Sequence, residues 1–239
     1  MVDPSAKVFV AWDRGSHRRK ALDPEYKANR TASTTSGWLS RLETFLPLVG
    51  VTQVFQENEE ADDVVASLLP SLEGPVVILT RDADFFQLVS NTVTVAVPGK
   101  NQTFVFYDPE RVFQDFGVTP EQIPHWKAIL GDTSDNIRGV PRFPSKVAAC
   151  LLRDHKTIEG VFQSGFSGLT SKQYASLKAS KDVVVKNLSL TTMIRNLEFT
   201  TVSPEPSLEK AESVLTELGI TTLPLTSFFG PKQGFLKFG

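Results

Sequence analysis

The sequence has 239 residues, 41% of them hydrophobic, with 25 Lys and Arg against 27 Asp and Glu for a formal net charge of −2. That length and apolar content suffice for one sizeable core, or a core with a small helical appendage. The near-neutral balance excludes a protein that coats nucleic acid through overall basicity. No apolar run reaches the roughly eighteen residues that cross a bilayer, and no basic-then-apolar leader opens the chain, so the expected setting is the cytoplasm. Charge is nonetheless segregated. Residues 14–30 carry Arg14, Arg18, Arg19, Lys20, Lys27 and Arg30 against Asp23 and Glu25, whereas Glu57, Glu59, Glu60, Asp62 and Asp63 crowd residues 57–63.

In chain order, residues 7–12 (KVFVAW) are short, β-branched and aromatic, as in a strand buried in a parallel sheet, which leaves Asp13 just past the strand's C-terminal end. From Trp38 through Leu39, Leu42, Phe45, Leu46 and Val49 the apolar spacing predicts a helix, with Gly50 as its C-cap. A short strand is expected over 52–55, a helix over 61–72 and, after the Gly74-Pro75 break, a buried strand over 76–80 (VVILT). Val93, Val95 and Val97 then alternate before a Gly99-Lys100-Asn101 turn and a return strand at 103–107, the pattern of a hairpin. Thr119-Pro120-Glu121-Gln122 supplies an N-cap, a proline at the first helical position and the glutamine of a capping box, so a helix should run to Leu130. This order predicts an α/β domain over residues 1–125, a mostly α-helical region over 126–222 and a tail over 223–239. Cys150 lies among the apolar residues 147–152 and is expected to be a buried, inert thiol. His17, His125 and His155 are isolated and receive no catalytic role.

Acidic residues follow the expected strands or open the expected helices: Asp13; Glu60, Asp62 and Asp63; and Asp82 with Asp84. Strand C-terminal ends form the ligand crevice of a parallel α/β sheet, and Glu60 and Asp63, three apart at a helix start, share a face. Taken singly, such acids serve helix dipoles and turns. Brought together they repel, by roughly 4 kcal/mol for two charges ~4 Å apart at an effective dielectric of about 20, so convergence implies a bound cation. Oxygen ligands without histidine or cysteine suit Mg²⁺ or Mn²⁺, and carboxylates around two such ions fit phosphodiester hydrolysis. On this reading the carboxylates of Asp13, Glu60, Asp63, Asp82 and Asp84 should lie within about 10 Å of one another. Lys27 and Arg30, three apart on one turn, would place two cations on one face, suited to an oxyanion under attack.

The ordered set Asp13, Arg19, Tyr26-Lys27-Ala28-Asn29-Arg30, Glu60-Ala61-Asp62-Asp63, Thr80-Arg81-Asp82-Ala83-Asp84 and Gly131-Asp132-Thr133-Ser134-Asp135-Asn136 resembles the 5′ nuclease family. That family includes the 5′ nuclease domain of bacterial DNA polymerase I and the flap endonucleases of bacteriophages. The resemblance implies a PIN-like, twisted, mainly parallel sheet with flanking helices, followed by an α-helical helix-three-turn-helix region that grips duplex phosphates. It implies Asp13, Glu60, Asp62, Asp63, Asp82, Asp84, Asp132 and Asp135 around two metal sites, and Lys27 and Arg30 at the scissile phosphate. Tyr26 would sit near the substrate base, with Arg19 a basic residue of the same segment. Gly139, Arg142 and Lys146 belong to the segment expected to meet DNA. The implied activity is structure-specific 5′-3′ exonuclease or flap endonuclease action on DNA with 5′ single-strand to duplex junctions, in a bacterial or bacteriophage-infected cell. A replicative polymerase is a further implied partner.

The sequence departs from the family pattern in two places. Members carry a strand with a first metal-binding aspartate upstream of the position matched by Asp13, and Asp3 does not replace it. With residues 6–12 extended at about 3.3 Å each, Asp3 falls at the opposite end of the sheet. The missing strand is expected from an upstream extension or from an N-terminal partner chain, and the alternative is a catalytically impaired DNA-structure-binding protein. A PIN-type ribonuclease is disfavoured by the helical GDTSDN region. In the helix-three-turn-helix loop, two family glycine positions are Arg142 and Pro144, which weakens the expectation of K⁺ there because proline has no N–H and only glycine turns freely. The tail, Leu225-Thr226-Ser227-Phe228-Phe229, loosely resembles a sliding-clamp-binding peptide but is expected to pack its phenylalanines on the helical region.

Overall fold

A computed structural model describes residues 6–31, 36–101, 103–165, 168–225 and 228. In chain order the regular elements are β1 (Phe9–Ala11), α1 (His17–Leu22), α2 (Ser36–Phe45), β2 (Thr52–Phe55), α3 (Ala61–Leu68), β3 (Val76–Leu79), β4 (Val93–Pro98), β5 (Phe104–Tyr107) and α4 (Pro109–Phe116). They continue as α5 (Ile123–Leu130), β6 (Gly131–Asp132), β7 (Ile137–Arg138), α6 (Ser145–His155), α7 (Ile158–Gln163), α8 (Ser171–Ala179), α9 (Lys181–Thr191), β8 (Thr200–Val202) and α10 (Leu208–Glu217). The chain forms two compact units, each built from discontinuous segments.

The first unit comprises residues 1–16, 31–69 and 194–239. β1 and β2 pair in parallel, Phe9 opposite Thr52 and Ala11 opposite Val54, and β8 adds an antiparallel strand on the far side of β2. Gly50 closes the single 3-10 turn after α2 in the left-handed conformation, at φ 87°, which releases the chain into β2. Phe45, Val49 and Val51 pack with Ala211 and Leu215 of α10 and with Leu225. Leu225 is buried in this cluster, but the tail does not pack as expected, because Phe228 is exposed, while Phe229 lies outside the described residues.

The second unit comprises residues 17–30 and 70–193. β3 and β4 pair in parallel, and β4 and β5 form the expected antiparallel hairpin, with Val95 opposite Tyr107. Helix α5 is the hub of the helical part and packs on α6 and α9. The Asn187 side chain of α9 donates to the carbonyls of Ala128 and Arg138, and the Thr191 hydroxyl donates to that of Pro124, so α9 is fastened to α5 along its length. The expected capping box forms, with Gln122 Oε1 accepting from the N–H of Thr119.

Three expectations about elements need correction. Cys150 is exposed, because α6 buries Ala148, Ala149, Leu151 and Leu152, and a 3.6-residue period turns position 150 outward even inside an apolar run. Helix α4 was not anticipated, although Asp108 caps it through the N–H of Arg111, Pro109 opens it and Gly117 ends it at φ 74°. Strand β8 falls in a segment expected to be helical and is stabilised by its pairing with β2 rather than by burial, all three residues being exposed.

His125 links α5 to the start of α7, its Nδ1 accepting from the N–H of Ile158 at 3.3 Å. Burial holds this imidazole below its ordinary pKa of 6.5, against a weaker opposing pull from Glu159. The folded form therefore prefers neutral His125, and its contribution to stability is full above the unfolded-state pKa and lost as pH falls below it. His125→Gln should flatten the decline of the urea midpoint between about pH 7 and 5, and an unchanged slope would sink this assignment.

Candidate active site

In the first unit, Asp13 follows β1 and accepts the N–H of Gly15 at 3.0 Å. Its neighbours are tied down on either side, Trp12 N–H to Val54 and Arg14 N–H to Glu59, so Asp13 projects at the end of the sheet beside the loop that enters α3. At that helix start the carboxylates of Glu60, Asp62 and Asp63 offer oxygens that all lie within 4.8 Å of one another. Glu60 is 2% exposed and Asp63 fully buried. The helix N-terminus favours negative charge here, and Asp63 also accepts the N–H of Ile194 at 2.8 Å. Three hard oxygen donors at this spacing, two of them withdrawn from water, fit a divalent cation.

In the second unit, Asp82 caps the 3-10 turn after β3 by accepting the N–H of Asp84 at 2.9 Å and remains exposed itself. Asp84 accepts from Lys127, and the same ammonium donates to Asp132 Oδ2 at 2.8 Å. Asp132 also accepts from the backbone N–H and hydroxyl of Ser134. Burial pushes Asp84 up to about 6 in spite of Lys127. For Asp132 burial acts in the same direction, but hydrogen bonds from Lys127 and Ser134 outweigh it and hold the carboxyl at about 2. Lys127 was missed in the sequence; its signal was a lone cation between the apolar residues Trp126 and Ala128 of α5, five positions before Asp132.

Asp135 is enclosed, and three side chains from residues 26–30 converge on it. The Tyr26 hydroxyl donates to Oδ2 at 3.0 Å, Arg30 donates to Oδ1 at 2.5 Å, and Lys27 Nζ stands 3.9 Å away. The N–H of Lys27 also donates to the Asp135 carbonyl at 2.9 Å, and Asn29 reaches the carbonyl of Thr133. The segment is a series of turns rather than a helix, with Lys27 itself at φ 55°. Lys27 and Arg30 still face the same side, as their spacing predicted. Tyr26 is only 2% exposed, packed with Ile137 and Leu190, so its ring offers no stacking face to a base. Arg19, also buried, donates to the carbonyls of Leu190 and Thr192 and so fastens α1 to the end of α9. Both residues are anchors here rather than parts of a binding surface.

The loop between α5 and α6 is closed by two glycines set back to back. A Cβ on Gly131, at φ 81°, would stand 2.4 Å from Gly139 N, and one on Gly139 would stand 2.1 Å from the carbonyl carbon of Leu130. Arg142 adopts a left-handed φ of 52°, and with Lys146 at the start of α6 it is exposed.

The sequence model of the 5′-3′ exonuclease N-terminal resolvase-like domain matches residues 2–117, and that of the 5′-3′ exonuclease C-terminal SAM fold matches residues 118–213. DNA polymerase I of Mycobacterium tuberculosis is 33% identical over 180 residues, 73% of this chain and 20% of the polymerase. The chain thus spans about a fifth of the length of that relative. A 5′-3′ exonuclease of Buchnera aphidicola is 30% identical over 166 residues, 67% of this chain and 57% of that protein. The bacteriophage T5 flap endonuclease, solved in a complex with DNA and metal ions, shares the fold with a TM-score of 0.63 and 22% identity, covering 93% of this chain and 81% of that one.

The hold of Asp135 on the basic turn is testable. Asp135→Asn keeps an acceptor for Tyr26 but removes the charge facing Lys27 and Arg30, and should destabilise the fold by about 1–3 kcal/mol in urea unfolding. Wild-type stability in this variant would show that the turn is held by other contacts.

Proposed function

The chain belongs to the 5′-3′ exonuclease family, and on that premise we propose that it is a structure-specific 5′ nuclease that hydrolyses DNA phosphodiester bonds at 5′ single-strand to duplex junctions. The observation that carries this reading is the cluster of Glu60, Asp62 and Asp63 at one helix start, a hard-oxygen site in a chain that matches a nuclease family. Asp13, Glu60, Asp62 and Asp63 would hold one divalent ion, and Asp82, Asp84 and Asp132 a second, with Mg²⁺ or Mn²⁺ favoured by the all-oxygen donor set. When bound, such ions lower the pKa of water and offset charge on the leaving oxygen.

The chain's own residues supply the rest. Lys27 and Arg30, side by side under the grip of Asp135, would meet the non-bridging oxygens of the scissile phosphate, where negative charge grows during attack. Asp135 then serves chiefly to position these two cations rather than to ligate an ion. Gly139, Arg142 and Lys146 would contact duplex phosphates and set register without reading sequence. β1 and β3 each end their own sheet with one edge unpaired among the described residues, and Val77 and Leu79 of β3 are exposed although β3 runs parallel to its neighbour.

Asp82→Asn isolates charge from structure, since asparagine caps a helical turn about as well as aspartate. In the cleavage-competent protein this variant should slow single-turnover cleavage of 5′-flapped DNA by about a hundredfold or more while leaving flap affinity unchanged or tighter. Normal cleavage by Asp82→Asn would overturn the mechanism, and cleavage without any divalent ion would overturn its metal dependence.

Arg142→Gly separates two properties of the loop. Glycine relieves a left-handed conformation that costs an arginine roughly 1 kcal/mol, so stability should hold or rise. Flap-DNA affinity should fall, and the slope of log K against log salt should shrink by about one. An unchanged salt slope would remove Arg142 from the phosphate contacts.

A further inference from the structure

Three segments of the second unit aim polar groups at one point: Asp84 from the turn after β3, Lys127 from the last turn of α5, and Asp132 from β6. The Lys127 ammonium is hydrogen-bonded to Asp84 and stands 2.8 Å from Asp132 Oδ2. All three side chains are enclosed, with 12% of Lys127, 15% of Asp84 and 14% of Asp132 exposed. Enclosing an ammonium is tolerated only when groups of opposite charge replace its water. The need is mutual, because without that ammonium the two carboxylates would face each other with little solvent between them. Arginine would present a planar fork here, whereas lysine presents a compact charge on a flexible stem that can be withdrawn.

We infer that Lys127 is a built-in cation that holds Asp84 and Asp132 together in the metal-free protein and competes with a divalent ion for these carboxylates. The inference rests on the reading that this acidic group takes a metal, and it names the side chain that sets how tightly. An ion entering between Asp84 and Asp132 meets a like charge, and the ammonium swings outward along its stem to make room. Lys127 is thus a positioning residue: it keeps the second acidic group shaped for an ion and limits loading to conditions in which the ion outcompetes it.

The test is Mn²⁺ binding to the full chain and to Lys127→Met, which keeps the length of the stem and removes the charge, followed by calorimetry or electron paramagnetic resonance. The variant should bind Mn²⁺ about tenfold more tightly, melt at a lower temperature without metal, and regain that loss when Mn²⁺ is added. A second readout uses the unaltered protein: the side-chain resonances of ¹³C-labelled Lys127 should shift as Mg²⁺ is titrated in. Equal Mn²⁺ affinity with and without the ammonium, or Lys127 resonances that stay fixed while Mg²⁺ binds, overturns the inference even if Asp84→Asn weakens ion binding. Should neither Asp84→Asn nor Asp132→Asn weaken ion binding, the metal reading beneath it falls as well.

Discussion

Carboxylates held close together with little water between them repel strongly, by roughly 4 kcal/mol for two charges ~4 Å apart at an effective dielectric of about 20. The chain meets that constraint differently in each of its acidic groups. Glu60, Asp62 and Asp63 stand at a helix start, where the dipole favours negative charge and a backbone N–H from Ile194 reaches Asp63. Asp84 and Asp132 share one ammonium. Asp135 is matched by a tyrosine hydroxyl and two cations of the basic turn. The first solution leaves oxygens grouped closely enough for a divalent ion, the second seats an ammonium between two carboxylates, and the third uses a carboxylate to hold two cations side by side. The proposed nuclease activity would draw on all three: donors for metal, a means of keeping donors in place, and positive charge facing phosphate.

Much of this was legible in the sequence because it depends on local pattern. Continuous apolar runs gave β1 and β3 as strands, although β3 is not the buried strand expected, Val77 and Leu79 being exposed, while alternation gave the β4–β5 hairpin and the Thr119 to Gln122 capping box marked the entry to α5. The acids could be placed at strand ends and helix starts for the same reason. What could not be read is set by tertiary pairing. β8 exists because β2 offers an edge, a fact absent from residues 200–202 themselves. Arg19 and Tyr26 carry residue types suited to nucleic acid, and only the packing of α1 against α9 and of Tyr26 against Ile137 shows that they are occupied inside the protein. Lys127 was overlooked because a single lysine on a helix is normally solvated, and its partners come from segments 43 and 5 positions away. By contrast α4 was readable and overlooked, its cap, proline and closing glycine all being local signals.

Within the second unit, the hairpin between α5 and α6 ties Asp132 and Asp135 into one mechanical element. Asp132 lies on β6, paired with Ile137 of β7, and Asp135 occupies the turn between the two strands. The same hairpin presses Gly131 against Gly139 so closely that neither tolerates a Cβ, and the chain leaves that contact directly into the segment of Arg142 and Lys146. Backbones in such contact have little freedom to slide, since interiors are close-packed and respond to displacement as units. A phosphate gripped at Arg142 or Lys146 would therefore be registered through a few residues of stiff backbone to Asp132 and to the Lys27 and Arg30 pair that Asp135 holds. If Arg142 and Lys146 hold duplex phosphates as proposed, the rigidity of the glycine contact would fix their spacing from the Lys27 and Arg30 pair, and the place of cleavage would follow from DNA shape rather than from base sequence.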